Sequence, residues 1–354
     1  METQIEVFPG EGKIPRFPTT RYQGSKSKLL TWIWECIKDL KFNSALDAFG
    51  GTSSVAYLLK TKGKRVVYND SLRFNYLIGL ALIENNKTIL SDADIDYLLK
   101  EHKEIKYPSF ITETFKNIYY TDTENKWLDK TVTNIDHLEN KYKKALAYFA
   151  LFQSCIIKRP FNLFHRKNLY IRTAEVKRSF GNKATWDKPF EFYFKKFSKE
   201  ANNAVLNNNQ TNKAYNKDVF ELQENIDLVY IDTPYINSKG AGVNYLEFYH
   251  FLEGLTYYQN WRKKIDWNTP NLRFKKANSV WLDEKQIKQG FDRLFKKFRK
   301  SILVVSYRND GVPSIEELLE LLHKYKERVS KANHIRYRYV LSKNESKESL
   351  LIAE

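Results

Sequence analysis

Between residues 45 and 82 the chain alternates between two hydrophobic periods, and this alternation constrains the fold more tightly than any other feature. Residues 45–49 form a short apolar run, Gly50, Gly51 and Thr52 a tight turn, residues 53–60 a helix stopped at Gly63, and residues 65–70 a second apolar run. Another helix, capped by Ser71, runs on to Leu82. Strand, helix, strand, helix in this order implies a parallel sheet with helices crossing over between its strands. A helix over residues 25–40, with Leu29, Leu30, Ile33, Ile37 and Leu40 at helical spacing, opens the unit. Sheet-like patterning returns at residues 214–218, 226–231, 301–306, 335–341 and 349–353, and residues 247–258 and 284–298 read as helices.

The alternation lapses in the middle of the chain. Helical stretches near residues 95–99 and 141–157 lead into an irregular segment, so a second domain is expected there. Residues 158–199 hold 12 basic against 3 acidic side chains, interleaved with Phe161, Phe164, Tyr170, Phe180 and Trp186. Basic groups can contact phosphates while aromatics reach bases, although a solvated, loop-rich insertion has the same composition. Residues 261–300, with 13 basic against 4 acidic, form a second such face. Over the whole chain 59 Lys and Arg against 42 Asp and Glu leave a charge of +17, which suits nucleic acid better than an acidic membrane surface.

No apolar stretch is long enough to span a bilayer and residues 1–20 do not resemble a signal peptide, so a soluble, cytoplasmic, nucleoid-associated protein is expected. Cys36 and Cys155 sit in apolar helical runs and read as buried free thiols. His165, His250 and His334 are scattered without ligand spacing, so no metal is expected.

Two strand ends carry candidate chemistry. The run over residues 226–231 stops at Asp232, Thr233, Pro234 and Tyr235. In open α/β sheets ligands bind beyond the carboxyl ends of the strands. There Asp232 and the turn carbonyls can accept from a ligand amine, and Tyr235 can stack on the ring that bears it. The same four residues would also make an ordinary strand-end turn. Upstream, Asp47, Ala48, Phe49, Gly50, Gly51 and Thr52 join a strand to a helix, where glycines let a ligand approach backbone N–H groups. The turn does not match the dinucleotide fingerprint, and Gly24 to Ser27 lacks the earlier glycine of a Walker loop, Thr19 standing there, which leaves NAD and ATP poorly supported. Asp70, 19 residues after Gly51, ends the second strand where a carboxylate can accept both hydroxyls of a ribose, or act as a helix N-terminal acid.

The series Arg21, Tyr22, Gln23, Gly24, Ser25, Lys26, then Asp47 to Thr52, Asp70, Asp218 and Asp232 to Tyr235, resembles the Dam-like, alpha-group adenine-N6 DNA methyltransferases in order and spacing. The resemblance implies a Rossmann-like, S-adenosylmethionine-dependent α/β sheet flanked by helices (residues 1–100 and 204–354), with an inserted target-recognition domain (residues 101–203). Tyr22 and Lys26 would lie near the carboxylate of S-adenosylmethionine, Phe49 to Thr52 around its methionine part, Asp70 at its ribose, and Asp218 with Val219 at its adenine. Residues 161–166 and 167–170 resemble the family's recognition hairpin, making Arg159, Asn162, His165, Arg166, Lys167, Tyr170 and Arg172 candidate contacts to double-stranded DNA. A flipped adenine would stack on Tyr235, with Asp232 and the Thr233 carbonyl accepting its N6 protons, and with neither metal nor covalent intermediate.

Two departures stand out. Thr233 replaces a proline, and Ser53 stands where many members have glycine, so a positive φ there would be strained. Related tetrapeptides also serve methylation of RNA, protein glutamine and cytosine N4, and a DNA-binding module that has lost catalysis is a further alternative. A freestanding enzyme of this kind, acting as a monomer, fits protection of DNA from a restriction endonuclease with which it pairs in function only; housekeeping or phage-encoded methylation fits as well.

Overall fold

The structure, a computed structural model, describes residues 15–176, 183–237, 242–333 and 348–354. The strand expected over residues 335–341 and the aromatic Phe180 lie outside these. In chain order the sheet-forming half begins with α1 (Leu30–Ile37), β1 (Ser44–Asp47), α2 (Ser54–Thr61), β2 (Arg65–Asn69) and α3 (Arg73–Gly79). The helices α4 (Asp92–Leu99), α5 (Phe110–Thr114), α6 (Asp122–Asp136), α7 (Lys141–Ile157), α8 (Leu169–Thr173), α9 (Lys183–Asp187) and α10 (Phe190–Ala204) follow. The chain then returns through β3 (Lys213–Tyr215), β4 (Leu228–Ile231), β5 (Ile236–Asn237), α11 (Tyr245–Thr256), α12 (Trp261–Lys264), α13 (Ile287–Lys297), β6 (Ile302–Arg308), β7 (Gly311–Val312), α14 (Ile315–His323), β8 (Val329–Asn333) and β9 (Glu348–Ala353).

Seven strands form one sheet in the order β3-β2-β1-β4-β6-β9-β8, parallel from β3 to β6, with β9 antiparallel to β6 and β8. The parallel strands are apolar on both faces because helices cover both, hence the continuous runs in the sequence. Strand order reverses between β1 and β4, the switch point at which such sheets leave a crevice. Asp47 pairs in register with Tyr68 of β2 and Tyr230 of β4, so Asp47, Asp70 and Asp232 leave the sheet at the same edge.

The insertion is helical. Two of its three long helices, α7 and α10, pack on each other, and α7 also packs on α3. One buried cluster runs from Ile33 and Val66 beside the sheet to Phe149 and Phe197 in the insertion, so the inserted helices share the sheet's core. Three expectations need correction. Residues 161–170 form no hairpin: a 3-10 turn (Pro160–Asn162) and α8 stand there, with Phe161 and Asn162 at φ 61° and 58°. Ser71 does not cap α3; the carboxylate of Glu253, reaching over from α11, accepts from the N–H groups of Arg73 and Phe74. Cys155 is buried, but Cys36 is only partly so. Among the described residues no helix is long and apolar enough to cross a membrane.

Candidate active site

A cavity of about 1170 Å³ opens at the switch point and collects most of the residues singled out above: Tyr22, Lys26, Asp47, Phe49 to Thr52, Asp70, Asp218, Val219, Asp232 and Pro234. Asp232 follows the last residue of β4. Lys26, only 4 % exposed, donates from Nζ to its Oδ1 at 2.8 Å and lies 3.3 Å from Oε1 of the buried Glu348. On the cavity wall the Lys26 ammonium is thus turned to two carboxylates of the protein. The second oxygen of Asp232, Oδ2, has no hydrogen-bond partner among the described residues. Burial pushes the Asp232 carboxyl up to about 6; Lys26 draws it down and Glu348 pushes it further up.

The turn after β1 is shaped by close packing. The Tyr68 ring lies against both Gly50 and Gly79, where a Cβ would fall 2.0 Å and 2.3 Å from ring atoms, and its hydroxyl donates to the Gly51 carbonyl at 2.7 Å. Gly50 is therefore glycine to admit a protein ring; the close approach expected of a ligand belongs to Gly51, at φ +49°, whose Cβ would touch only Tyr22. Ser53 adopts φ 68°, the left-handed conformation in which a Cβ costs about 1 kcal/mol. Asp47 uses Oδ2 to accept from Ala56 N in the first turn of α2, and burial, reinforced by Asp232, pushes its carboxyl up to about 8.

Asp70 accepts from Gly51 N at 2.9 Å, Leu72 N at 2.8 Å and Asn75 Nδ2 at 3.1 Å. Burial raises its carboxyl to about 6 against the pull of those donors. Asn75 leaves Oδ1 buried without a partner among the described residues, on the cavity wall. Tyr22 stacks between Tyr245 and Tyr249, with ring centroids 5.3 Å and 4.6 Å away, and its hydroxyl accepts from Asn75. At the other end Phe220 stacks on Trp281 at 5.9 Å, Phe49 meets Trp281 edge-on, and the Arg293 guanidinium lies over the Phe220 ring. Asp218 is exposed at the rim and Val219 is buried beside it. An aromatic slot, a carboxylate beside a positive-φ glycine and an orphaned amide oxygen together fit a nucleoside-bearing cofactor.

Thr233 and Tyr235 do not line the cavity. Tyr235 is 7 % exposed, with the Arg308 guanidinium 4.8 Å from its ring centroid, and Arg308 also pairs with Asp310. Thr233 is buried, and its hydroxyl has no partner among the described residues. Thr233→Val should therefore leave stability unchanged or raise it by up to about 1 kcal/mol in a urea melt; a clear loss would mean that the hydroxyl is bonded in solution.

The expected DNA contacts divide by exposure. Arg166, Lys167 and Tyr170 are exposed, and Asn162 and His165 partly so. Arg159 and Arg172 are buried and cannot reach a duplex. Arg159 Nε and Nη1 donate to the carbonyls of Leu163 and Tyr119, and its Nη2 to Arg166 O and to Asn168 Oδ1. Arg172 pairs with Glu124 at 2.6 Å. These two guanidinium groups hold the segment over residues 159–172 together from inside. Lys263, Lys264 and Lys275, from the second basic stretch, stand on the cavity wall. Sequence reasoning missed Glu348, Glu253, Asn75, Tyr245 and Trp281 as site residues. Only Trp281 had a local signal, an aromatic inside a basic stretch, and it was read as part of a DNA face.

Comparison with known proteins agrees with this geometry. The family model for D12 class N6 adenine-specific DNA methyltransferases matches residues 22–310. The chain is 30% identical over 348 residues to "Type II methyltransferase M2.HphI" of Haemophilus parahaemolyticus, an alignment covering 96% of this chain and 97% of the relative. It is 24% identical over 343 residues to "Type II methyltransferase M.CviAII" of Paramecium bursaria Chlorella virus 1, covering 91% and 93%. To "Type II methyltransferase M.FokI" of Planomicrobium okeanokoites it is 28% identical over 337 residues, 86% of this chain but 47% of that one.

Proposed function

The chain belongs to the D12 class of N6 adenine-specific DNA methyltransferases, and from that premise we propose that this cavity holds S-adenosylmethionine together with one adenine flipped out of a specific duplex sequence. The observation that carries the reading is the convergence of Asp232, the Gly50 to Thr52 turn and Asp70 on one cavity at the switch point. Bound there, the cofactor supplies a methyl group made electrophilic by a positively charged sulfur. Asp70 and Asn75 accept from its ribose hydroxyls, the Phe49 to Thr52 turn borders its methionine part, and Asp218 accepts from its adenine amine beside Val219, Phe220 and Trp281. Asp47 holds α2 against the turn, and Tyr22 closes the wall.

The N6 lone pair of adenine is delocalised into the ring, so the amine is a poor nucleophile. Asp232 Oδ2 and the Thr233 carbonyl accept hydrogen bonds from its two N–H groups, draw nitrogen toward tetrahedral geometry and localise the lone pair. Pro234 fixes the turn that presents the carbonyl. Arg308 lies against the Tyr235 ring, and stacking of the base on Tyr235 requires that ring, 7 % exposed and outside the cavity wall, to turn toward the cavity when DNA binds. Once N6 is methylated it sheds a proton, and Asp232 is the group able to take it.

Asp232 has to be ionised to accept. At saturating cofactor and DNA the rate is expected to be flat above pH 7 and to fall about tenfold per pH unit below about 6, the value to which burial raises that carboxyl. A rate unchanged down to pH 5 would remove Asp232 from the role.

Sequence reading falls to the helical insertion, residues 101–203, through Asn162, His165, Arg166, Lys167 and Tyr170, while Lys263, Lys264 and Lys275 grip the backbone at the cavity mouth. Two of the relatives that cover nearly the same length carry Type II methyltransferase names, which supports a protective role in a restriction-modification system. On this reading the chain acts as a monomer and shares a sequence, but no interface, with its endonuclease. Transfer of labelled methyl groups from S-adenosylmethionine to duplex DNA, single-stranded DNA and RNA tests the substrate: label in duplex adenine alone is expected, and label in RNA alone would overturn it.

A further inference from the structure

One buried acid beside Asp232 is not explained by cofactor or base binding. Glu348 opens β9, at 1 % exposure, outside the residues 22–310 that match the family model. Burying a carboxylate is costly unless it is paired and hydrogen-bonded. Its Oε1 meets both requirements: Lys26 Nζ lies 3.3 Å away and Ser306 Oγ of β6 donates at 2.7 Å. The same ammonium donates to Asp232 Oδ1 at 2.8 Å. Two carboxylates from distant parts of the chain thus share one ammonium, that of Lys26.

We propose that Glu348 is a positioning residue for methyl transfer, dividing the Lys26 ammonium with Asp232 so that one oxygen of Asp232 is held fixed while the other stays a strong acceptor for the target amine. The proposal rests on the reading of Asp232 given above. Without the second carboxylate, Lys26 would form a closed one-to-one pair with Asp232, and the electron density needed at N6 would be spent on the ammonium. With it, the cluster carries a net negative charge and Lys26 still orients Oδ1. Among the described residues the other titratable groups facing Asp232 are Asp47 at the end of β1, Tyr230 on β4 and Tyr245 on α11. Burial raises Asp47 and pushes both phenols well up, so the phenols stay neutral and Lys26 and Glu348 set the balance.

The test is the pH dependence of single-turnover methyl transfer by the full chain, using labelled S-adenosylmethionine and genomic DNA from a methylation-free host. For Glu348→Gln the plateau is expected to drop about tenfold and the acid limb to move about one pH unit lower, because a negative neighbour of Asp232 is gone. Ser306→Ala, which removes a donor competing with Lys26 for Oε1, should move the limb the other way, and it carries the test if Glu348→Gln does not accumulate folded. A uniform loss of rate with the limb unmoved in whichever variant folds, or parent behaviour in both, would overturn the proposal. Asp232→Asn in the same assay separates the two readings: if it methylates like the parent, the role of Asp232 itself fails.

Discussion

Asp232→Asn should lower methyl transfer by about 10³-fold while leaving the fold and cofactor binding in place. The substitution keeps the shape of the side chain at the end of β4. It replaces an anionic acceptor with an amide whose N–H can face the donating amine of adenine. Lys26 keeps a carboxylate partner in Glu348, 3.3 Å away, so no buried charge is stranded. The loss should appear in the chemical step, with cofactor affinity carried by Asp70 and the glycine turn on the neighbouring strands. A variant that loses cofactor binding as well would mean that Asp232 holds the site together and does not act on the amine.

Arg159→Met should have the largest effect on stability, about 3–5 kcal/mol in a denaturant melt. The guanidinium is 1 % exposed and serves the carbonyls of Leu163, Tyr119 and Arg166 together with Asn168, while packing 4.4 Å from the Tyr119 ring centroid. Removing it orphans several buried acceptors at once. Under conditions where the variant is folded, the dependence of DNA affinity on salt should match the parent, because Arg159 touches no phosphate. Arg166→Ala and Lys167→Ala should do the reverse, leaving stability intact and each reducing the salt slope by about 1. A salt slope reduced in Arg159→Met, with stability unchanged, would restore it as a DNA contact.

Residue type at Arg159 and Arg172 pointed outward, and their burial was illegible because charge in a sequence does not reveal whether a loop has folded around it. The same composition hid α10. Phe190, Tyr193, Phe194, Phe197 and Ala201 keep helical spacing and are buried against the shared core, yet the intervening lysines made the segment look irregular and basic. In α6 buried polar residues such as Asn125, Thr131 and Asn134 dilute the apolar stripe. Strands of the parallel sheet were legible because burial on both faces demands unbroken apolar runs, and α7 was legible to its ends, from Lys141 to Ile157.

The cofactor side of the site could be read because its parts are local: a glycine turn after a strand, and an acid at the end of the next. The strained Ser53 was visible for the same reason. Asp232 and Glu348 are brought together by strand order, with β4, β6 and β9 adjacent in the sheet, and Lys26 reaches them from the 3-10 turn before α1. No spacing in the chain encodes that meeting, so Lys26 was assigned to the cofactor and Glu348 to nothing.

The most direct test is base-resolution mapping of adenine methylation in genomic DNA from a methylation-free host expressing the chain, set against Asp232→Asn. N6-methyladenine confined to one sequence motif, and absent in the variant, is the result expected of a site-specific enzyme whose chemistry runs through Asp232. Unmarked DNA from cells holding folded protein that binds S-adenosylmethionine, or marks that persist in the variant, would contradict it.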